Sequence, residues 1–330
     1  MIATSLRTIL LKDFDDPRLS GQAWANLLAQ GETNTVNMTQ PWLRNWWHHW
    51  GRGRLLLISA ERDQETVCLA PLFVDGNMIF NLCPEDCLDF IGRTTDPEII
   101  EQLLRTARGL VPDFKGFKLY FLREDSATAT HLPEIAAGLN LVAHEEESIP
   151  SPFLDLAGQP EWAVACTRKK SLLRHERALL KEGCLQVHHF RSSQDILPLL
   201  DRFFDQHVQR RAATTQASLF SDPAQRDYYR AQTRALGPLG WLRFTRLDFN
   251  GQPIAYHYGL CYHGRFLFGI PSFDIHLAHR SPGEVLLRQL LLAALEEGAT
   301  LFDFGVGAEP YKDRFASGVT RLRNWGLYPK

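Results

Sequence analysis

The hydrophobic pattern of the second half reads as strands over Trp241 to Phe249, Pro253 to Tyr262 and Arg265 to Ile270. Asn250-Gly251 and His263-Gly264 separate them, and Asn-Gly is a strong hairpin signal. The period then lengthens to that of a helix, from Pro282 to Glu297, stopped by Gly298. Thr300 to Val306 reads as a closing strand. The first half repeats this order. Arg54 to Ala60, Thr66 to Val74 and Met78 to Leu82 form a meander, with Gly76-Asn77 in its second turn. A helix follows from Pro97 to Leu110, with Asp96 as N-cap, and Phe117 to Leu122 is the next strand.

Both halves therefore read strand-strand-strand-helix-strand, which predicts a mixed α/β fold of two packed tandem units. Glu145 to Pro160, with Pro150, Pro152 and Gly158, reads as the boundary, giving units 1–155 and 156–330. Helices are expected over Arg168 to Glu182, Asp195 to Ala212 and Asp222 to Leu236.

The most informative local signal is Arg280-Ser281-Pro282-Gly283-Glu284. Ser281 fits an N-cap, Pro282 the first helical position, and Glu284 completes a capping box. Such a helix start presents free N–H groups and a positive dipole end, Gly283 permits close approach, and Arg280 adds charge. These features suit a pyrophosphate; a capped helix without a ligand is the alternative. The matching loop of the first half carries Glu85, Asp86 and Asp89, which repel phosphate, so only the second half is expected to hold a phosphorylated ligand.

Composition narrows the classes. The 330 residues are 45% hydrophobic and 22% charged, ordinary for a soluble globular chain. With a net charge of −2, binding to nucleic acid or an anionic membrane would need a local patch. Met1 to Lys12 lacks a signal-peptide layout, and no stretch is long and apolar enough to span a membrane, so the expected location is cytoplasmic. Six irregularly spaced cysteines read as thiols rather than a disulfide frame, and Cys83 with Cys87 lacks the partners of a zinc site, so no metal is expected.

Ser281-Pro282-Gly283, the apolar helix and then Asp303-Phe304-Gly305-Val306-Gly307-Ala308-Glu309-Pro310-Tyr311-Lys312 together resemble the cellulose-biosynthesis acetyltransferase group (CelD/BcsL). That group lies in the Fem-like branch of GNAT proteins. Trp42, Trp46 and Trp47, Ala70-Pro71-Leu72, and Arg168-Lys169-Lys170-Ser171-Leu172-Leu173-Arg174 match as well, so the resemblance runs from about residue 20 to 325. It implies two GNAT-like halves, acyl-CoA (acetyl-CoA or longer) held by the second as co-substrate, and transfer of the acyl group to an amine or hydroxyl. Members of the group often serve polysaccharide biosynthesis. The loop Arg280 to Gly283 is shorter than the usual GNAT phosphate loop and lacks its second glycine.

Acyl transfer needs a base, an oxyanion stabiliser and an acid for the leaving thiolate. Asp303, in an apolar strand, or Glu309 is the candidate base, and Tyr311 the candidate acid. Asp303 has a structural alternative, pairing with loop amides, Arg314 or Lys312. His257 reads as an acceptor-binding residue or as a buried sheet histidine. Lys170, Arg174, Arg177 and Lys181 share one helix face. They read as a solvated helix face or, with Arg168, Lys169, His207, Arg210, Arg211 and Lys312 joining them, as a patch for a negatively charged acceptor, small, sugar-linked or carrier-bound. DNA is not expected, and tRNA is the less favoured partner. Two other readings stand beside this one: a Fem-like aminoacyl-tRNA-dependent transferase, and a non-catalytic subunit of a polysaccharide-assembly system.

Overall fold

The structure, a computed structural model, describes residues 6–330. The first five residues of the chain start, on which the signal-peptide reading partly rests, lie outside them. The fold is mixed α/β, with thirteen strands among the described residues, and it divides into two compact units. One holds the residues up to Pro150 together with Thr320–Lys330; the other is Ser151–Val319.

The first unit runs β1 (Arg7–Leu11), α1 (Gly21–Gln30), α2 (Gln40–Trp50), β2 (Arg54–Arg62), β3 (Glu65–Asp75), β4 (Met78–Asn81), β5 (Ile91–Gly92), α3 (Pro97–Gly109), β6 (Gly116–Arg123), α4 (Ala127–Gly138) and the start of β7 (Leu141–Asp155). Asp96 caps α3 by accepting the Glu98 N–H, with Pro97 in the first turn. Ile99, Ile100, Leu103, Leu104 and Ala107 recur at helical spacing and are all buried against the sheet core.

The second unit takes the end of β7, then α5 (Pro160–Thr167), α6 (Lys170–Glu182), β8 (Leu185–Phe190), α7 (Ser193–Ile196), α8 (Leu200–Ala212), α9 (Pro223–Leu236), β9 (Leu242–Phe249), β10 (Gln252–Tyr262), β11 (Arg265–Phe273), α10 (Pro282–Glu296) and β12 (Leu301–Asp303). Its sheet order is β7-β12-β11-β10-β9-β8. One face packs Leu247, Ala255, Phe266 and Phe302 against α10, which buries Val285, Leu286, Leu290, Leu291 and Ala294. The other face carries an aromatic layer, where Phe203 of α8 meets Phe244, Tyr256 and Tyr258.

The division between the units, Pro150/Ser151, falls inside the expected boundary segment. That segment is a strand: β7 runs unbroken through Pro150 and Pro152, because proline loses only its N–H and the Pro152 carbonyl still accepts from the Phe304 N–H at 3.0 Å. The last residues do not stay with the second unit, since β13 (Gly318–Pro329) lies between β6 and β7 in the first unit's strand order.

The repeated order is visible in the pairing. Each unit contains a parallel strand pair of three register steps. In the first unit these are Met78↔Gly116, Ile79↔Phe117 and Phe80↔Lys118. In the second they are Arg265↔Leu301, Phe266↔Phe302 and Leu267↔Asp303.

Candidate active site at the open end of a parallel strand pair

Beyond those three steps the two units differ. In the first unit the chain closes its own gap. Asn81 donates Nδ2–H to the Tyr120 carbonyl and accepts the Tyr120 N–H, both at 3.0 Å. Leu88 then donates to the Phe121 carbonyl at 3.0 Å and bridges to Leu122. Of the acids expected to repel phosphate there, Asp89 is buried, bonded to Thr128 at 2.6 Å and to Thr33 at 3.3 Å. Burial lifts its pKa to about 6.

In the second unit β11 continues six residues past its last step with β12, to Phe273, while the other chain leaves at Phe304 and Gly305. Gly305 has φ +71°, a left-handed turn that glycine adopts without penalty, and a Cβ there would lie 4.0 Å from the Phe268 carbonyl oxygen. This turn ends the strand at Asp303, three residues before the expected Val306.

The start of α10 lies beyond the end of β11. Pro282 occupies the first helical position as expected, but Ser281 does not cap with its side chain. Its backbone is left-handed (φ 53°, ψ 51°) and its carbonyl accepts from Glu284 and Val285. The Ser281 N–H is bonded to Ala278 and Pro282 has none, so Gly283 is the amide of this turn available to an anion. A Cβ on Gly283 would touch Phe273 at 3.2 Å. The capping box is absent because Glu284 turns to Arg314 at 3.0 Å and to His175 at 3.6 Å. Arg280 pairs with Glu182 and lies over Phe249, so its charge is directed at the end of α6.

The 304–315 loop is pinned from within. Lys312 is 2% exposed, and its Nζ donates to the carbonyls of Gly305 (3.0 Å), Val306 (2.9 Å) and Gly307 (3.4 Å) while pairing with Glu309 at 2.7 Å. Those partners use the ammonium fully, so Lys312 pins the loop. Asp303, 1% exposed, takes Arg265 on Oδ2 and the Gly305 N–H on Oδ1 at 2.8 Å. The structural alternative thus describes Asp303, with Arg265 as partner in place of Arg314 or Lys312. Sequence spacing carried no sign of Arg265, because the pair depends on the β11–β12 register.

Glu309 is exposed and ion-paired to Lys312. Tyr311 is half-buried; burial first, and then the Glu309 charge, push its phenol up to about 12 against an opposing influence of Arg210. Arg210, at the end of α8, lies over Phe273 at 4.5 Å and donates to the Pro271 carbonyl at 2.7 Å. Arg210, Phe273 and Gly283 thereby meet at the open end of β11, and Arg210 is near enough for its charge to act on the Tyr311 phenol. In the sequence Arg210 reads as a cation joining the basic patch, with no sign of its place over Phe273.

The remaining expected substrate residues lie apart from this cluster or inside the packing. His207 is buried, its Nδ1 2.7 Å from Ser218 Oγ, and burial followed by Arg211 and Arg210 brings its pKa down to about 4. Arg211 holds Gln216 at 2.9 Å. His257 is fully buried between strands, stacked on Phe268 at 5.3 Å, with neither ring nitrogen hydrogen-bonded. Burial, then His189, lowers it to about 3, so it is a neutral sheet histidine. Lys169 lies over Trp162 at 4.5 Å, and Arg168 is exposed at the end of α5. All six cysteines are free, and among the described residues no His, Cys, Asp and Glu cluster could hold a metal.

Residues 167–313 match a family model described as an acetyltransferase (GNAT) domain. Curated proteins give no match. Among solved structures, FemX aligns over 98% of this chain and 97% of its own, with a TM-score of 0.66 and 10% identity. The C-terminal domain of a putative lysylphosphatidylglycerol synthetase from Agrobacterium fabrum aligns over 91% and 89%, at TM-score 0.57 and 14% identity. A tandem GNAT protein from the clavulanic acid biosynthesis pathway aligns over 99% of both chains, at TM-score 0.52 and 14% identity. The chain therefore has the fold of tandem GNAT and FemX structures, and the segment that matches the acetyltransferase domain contains the open strand pair.

Proposed function

We propose that the second unit is an acyl-CoA-dependent acyltransferase, acting on an amine or hydroxyl of a small-molecule, sugar or carrier-bound acceptor. The observation that carries this reading is the gap past Leu267↔Asp303, with the first turn of α10 and the Tyr311 phenol at its open end. The sealed gap of the first unit supports a half without co-substrate. The matched acetyltransferase domain supports a thioester donor. The cellulose-biosynthesis acetyltransferase type and a cytoplasmic location remain part of this proposal.

The residues present fit such a donor. Gly283 N–H and the α10 dipole receive the pyrophosphate, and Arg314 neutralises Glu284, which would otherwise oppose it. The acceptor lone pair attacks the thioester carbonyl, and the C–S bond breaks as the C–N or C–O bond forms. Glu309 takes the acceptor proton. Tyr311, held protonated by its burial, gives its proton to the departing thiolate. Asp303 and Lys312 hold the loop that places both groups.

Calorimetric titration with CoA, acetyl-CoA and longer acyl-CoAs tests the reading. One site per chain is expected, and Tyr311→Phe should lower turnover by about 10²–10⁴-fold with donor affinity retained. Binding of aminoacyl-tRNA in place of any CoA would establish the Fem-like transferase reading. Binding of neither would leave a non-catalytic subunit.

A further inference from the structure

Helix α6 carries an exposed cationic stripe of Lys170, Arg174, Arg177 and Lys181, spaced four, three and four residues apart. At 1.5 Å per residue it extends about 16 Å. With Leu173, Ala178 and Glu182 these side chains line an open groove of about 590 Å³. Leu173 and Leu180 run along one edge of the stripe, roughly 90° around the helix. Leu180 is 53% exposed, whereas Leu172 and Leu179, farther round, are buried in the core. The acids of the helix do not offset the stripe: Glu176 is held by Arg288 at 2.8 Å and Glu182 by Arg280.

We propose that α6 docks this unit on an anionic membrane surface, its cations meeting headgroup phosphates and Leu180 entering the interface. A cationic face bordered by an exposed leucine edge is the layout of an interfacial helix. A nucleic-acid strand has no use for that edge, and the groove lining holds no aromatic ring on which a base could stack. The first turns of α6 also hold the reaction loop, since Arg314 donates to Ser171 at 2.7 Å and His175 faces Glu284. Docking therefore sets the open strand pair near the headgroup layer, which fits a lipid-linked acceptor; this last step alone rests on the acyl-transfer reading.

Co-sedimentation of the full chain with vesicles of phosphatidylcholine alone, or with about 30% phosphatidylglycerol, tests the docking without any turnover. Binding should be confined to the anionic vesicles and fall steeply at about 0.5 M salt. Arg174→Ala/Arg177→Ala/Lys181→Ala should weaken it by about two orders of magnitude, at roughly fivefold per cation. Leu180→Ser, which leaves the charge unchanged, should weaken it by several-fold, on the order expected for losing a partly inserted leucine. Both variants should keep the wild-type melting curve and acyl-CoA affinity. No partition to anionic vesicles, or undiminished partition of the triple variant, overturns the proposal. So does binding of an RNA oligonucleotide in its place, which would make the stripe a nucleic-acid face.

Discussion

Arg265 and Asp303 belong to the two strands of the parallel pair, and both Nε and Nη2 of Arg265 reach the same Asp303 oxygen, at 2.7 and 2.6 Å. The aspartate is buried while the arginine keeps about a third of its exposure (31%). Asp303→Asn retains an acceptor for Gly305 but removes the charge. We expect it to cost roughly 2–3 kcal/mol, less than the loss from a fully buried pair because Arg265 stays partly solvated. Denaturant unfolding measures this. Turnover per folded molecule should stay within about threefold of wild type, since the proposed transfer routes no proton through this carboxylate. A stable Asp303→Asn protein without turnover would restore Asp303 as the base.

Lys312→Met leaves three inward-facing carbonyls and Glu309 without their common partner. The expected loss is at least about 2 kcal/mol, from hydrogen bonds to a charged group. Amide exchange over 305–311 should accelerate more than exchange in β10. Lys312→Arg should not rescue it, because a planar fork cannot replace a point charge among converging carbonyls. Unchanged exchange in that loop would refute the assignment.

Ser281 separates two accounts of the α10 start. A side-chain cap predicts that removing the hydroxyl costs about 1 kcal/mol. The observed left-handed backbone with no side-chain cap predicts that Ser281→Gly is neutral or slightly stabilising, by relief of the strained φ. A thermal melt of that single variant decides between them.

Two buried histidines set an acid limit on stability. His257 and His207 have folded-state pKa values lowered to about 3 and about 4. The unfolded chain therefore binds more protons below about 6.5, and the stability present above that pH is lost as pH falls toward those values. The acid loss from each is on the order of a few kcal/mol. His257→Leu removes two unbonded ring nitrogens from the core, so it should be neutral or stabilising at pH 7 and should flatten the acid side of a Tm-against-pH curve. A large loss at pH 7 would show that the ring has a partner.

The hydrophobic period located β9, β10 and α10 to within a residue or so, because each is a local pattern closed by a turn or cap signal. Where geometry depends on distant partners the sequence was mute. Pro150, Pro152 and Gly158 look like a linker, yet β7 needs only the proline carbonyls to pair. Asp303 in an apolar strand suggested a perturbed base; its partner Arg265 is 38 residues away and is found only through the register. Glu284 was legible as the third residue of a capping box and is instead captured by Arg314. The acidic loop suggested a difference between the halves through charge, whereas the gap there is filled by Asn81 and Leu88.

The position of β13 between β6 and β7 bears on how the molecule is made. On the ribosome, residues 151–319 emerge with all of the second unit's strands, so that unit can form while synthesis continues. The first unit, although made earlier, lacks an interior strand until Thr320–Lys330 is translated. Its β6 edge stays open through that interval, and of the two units the one synthesised first is the last to be complete.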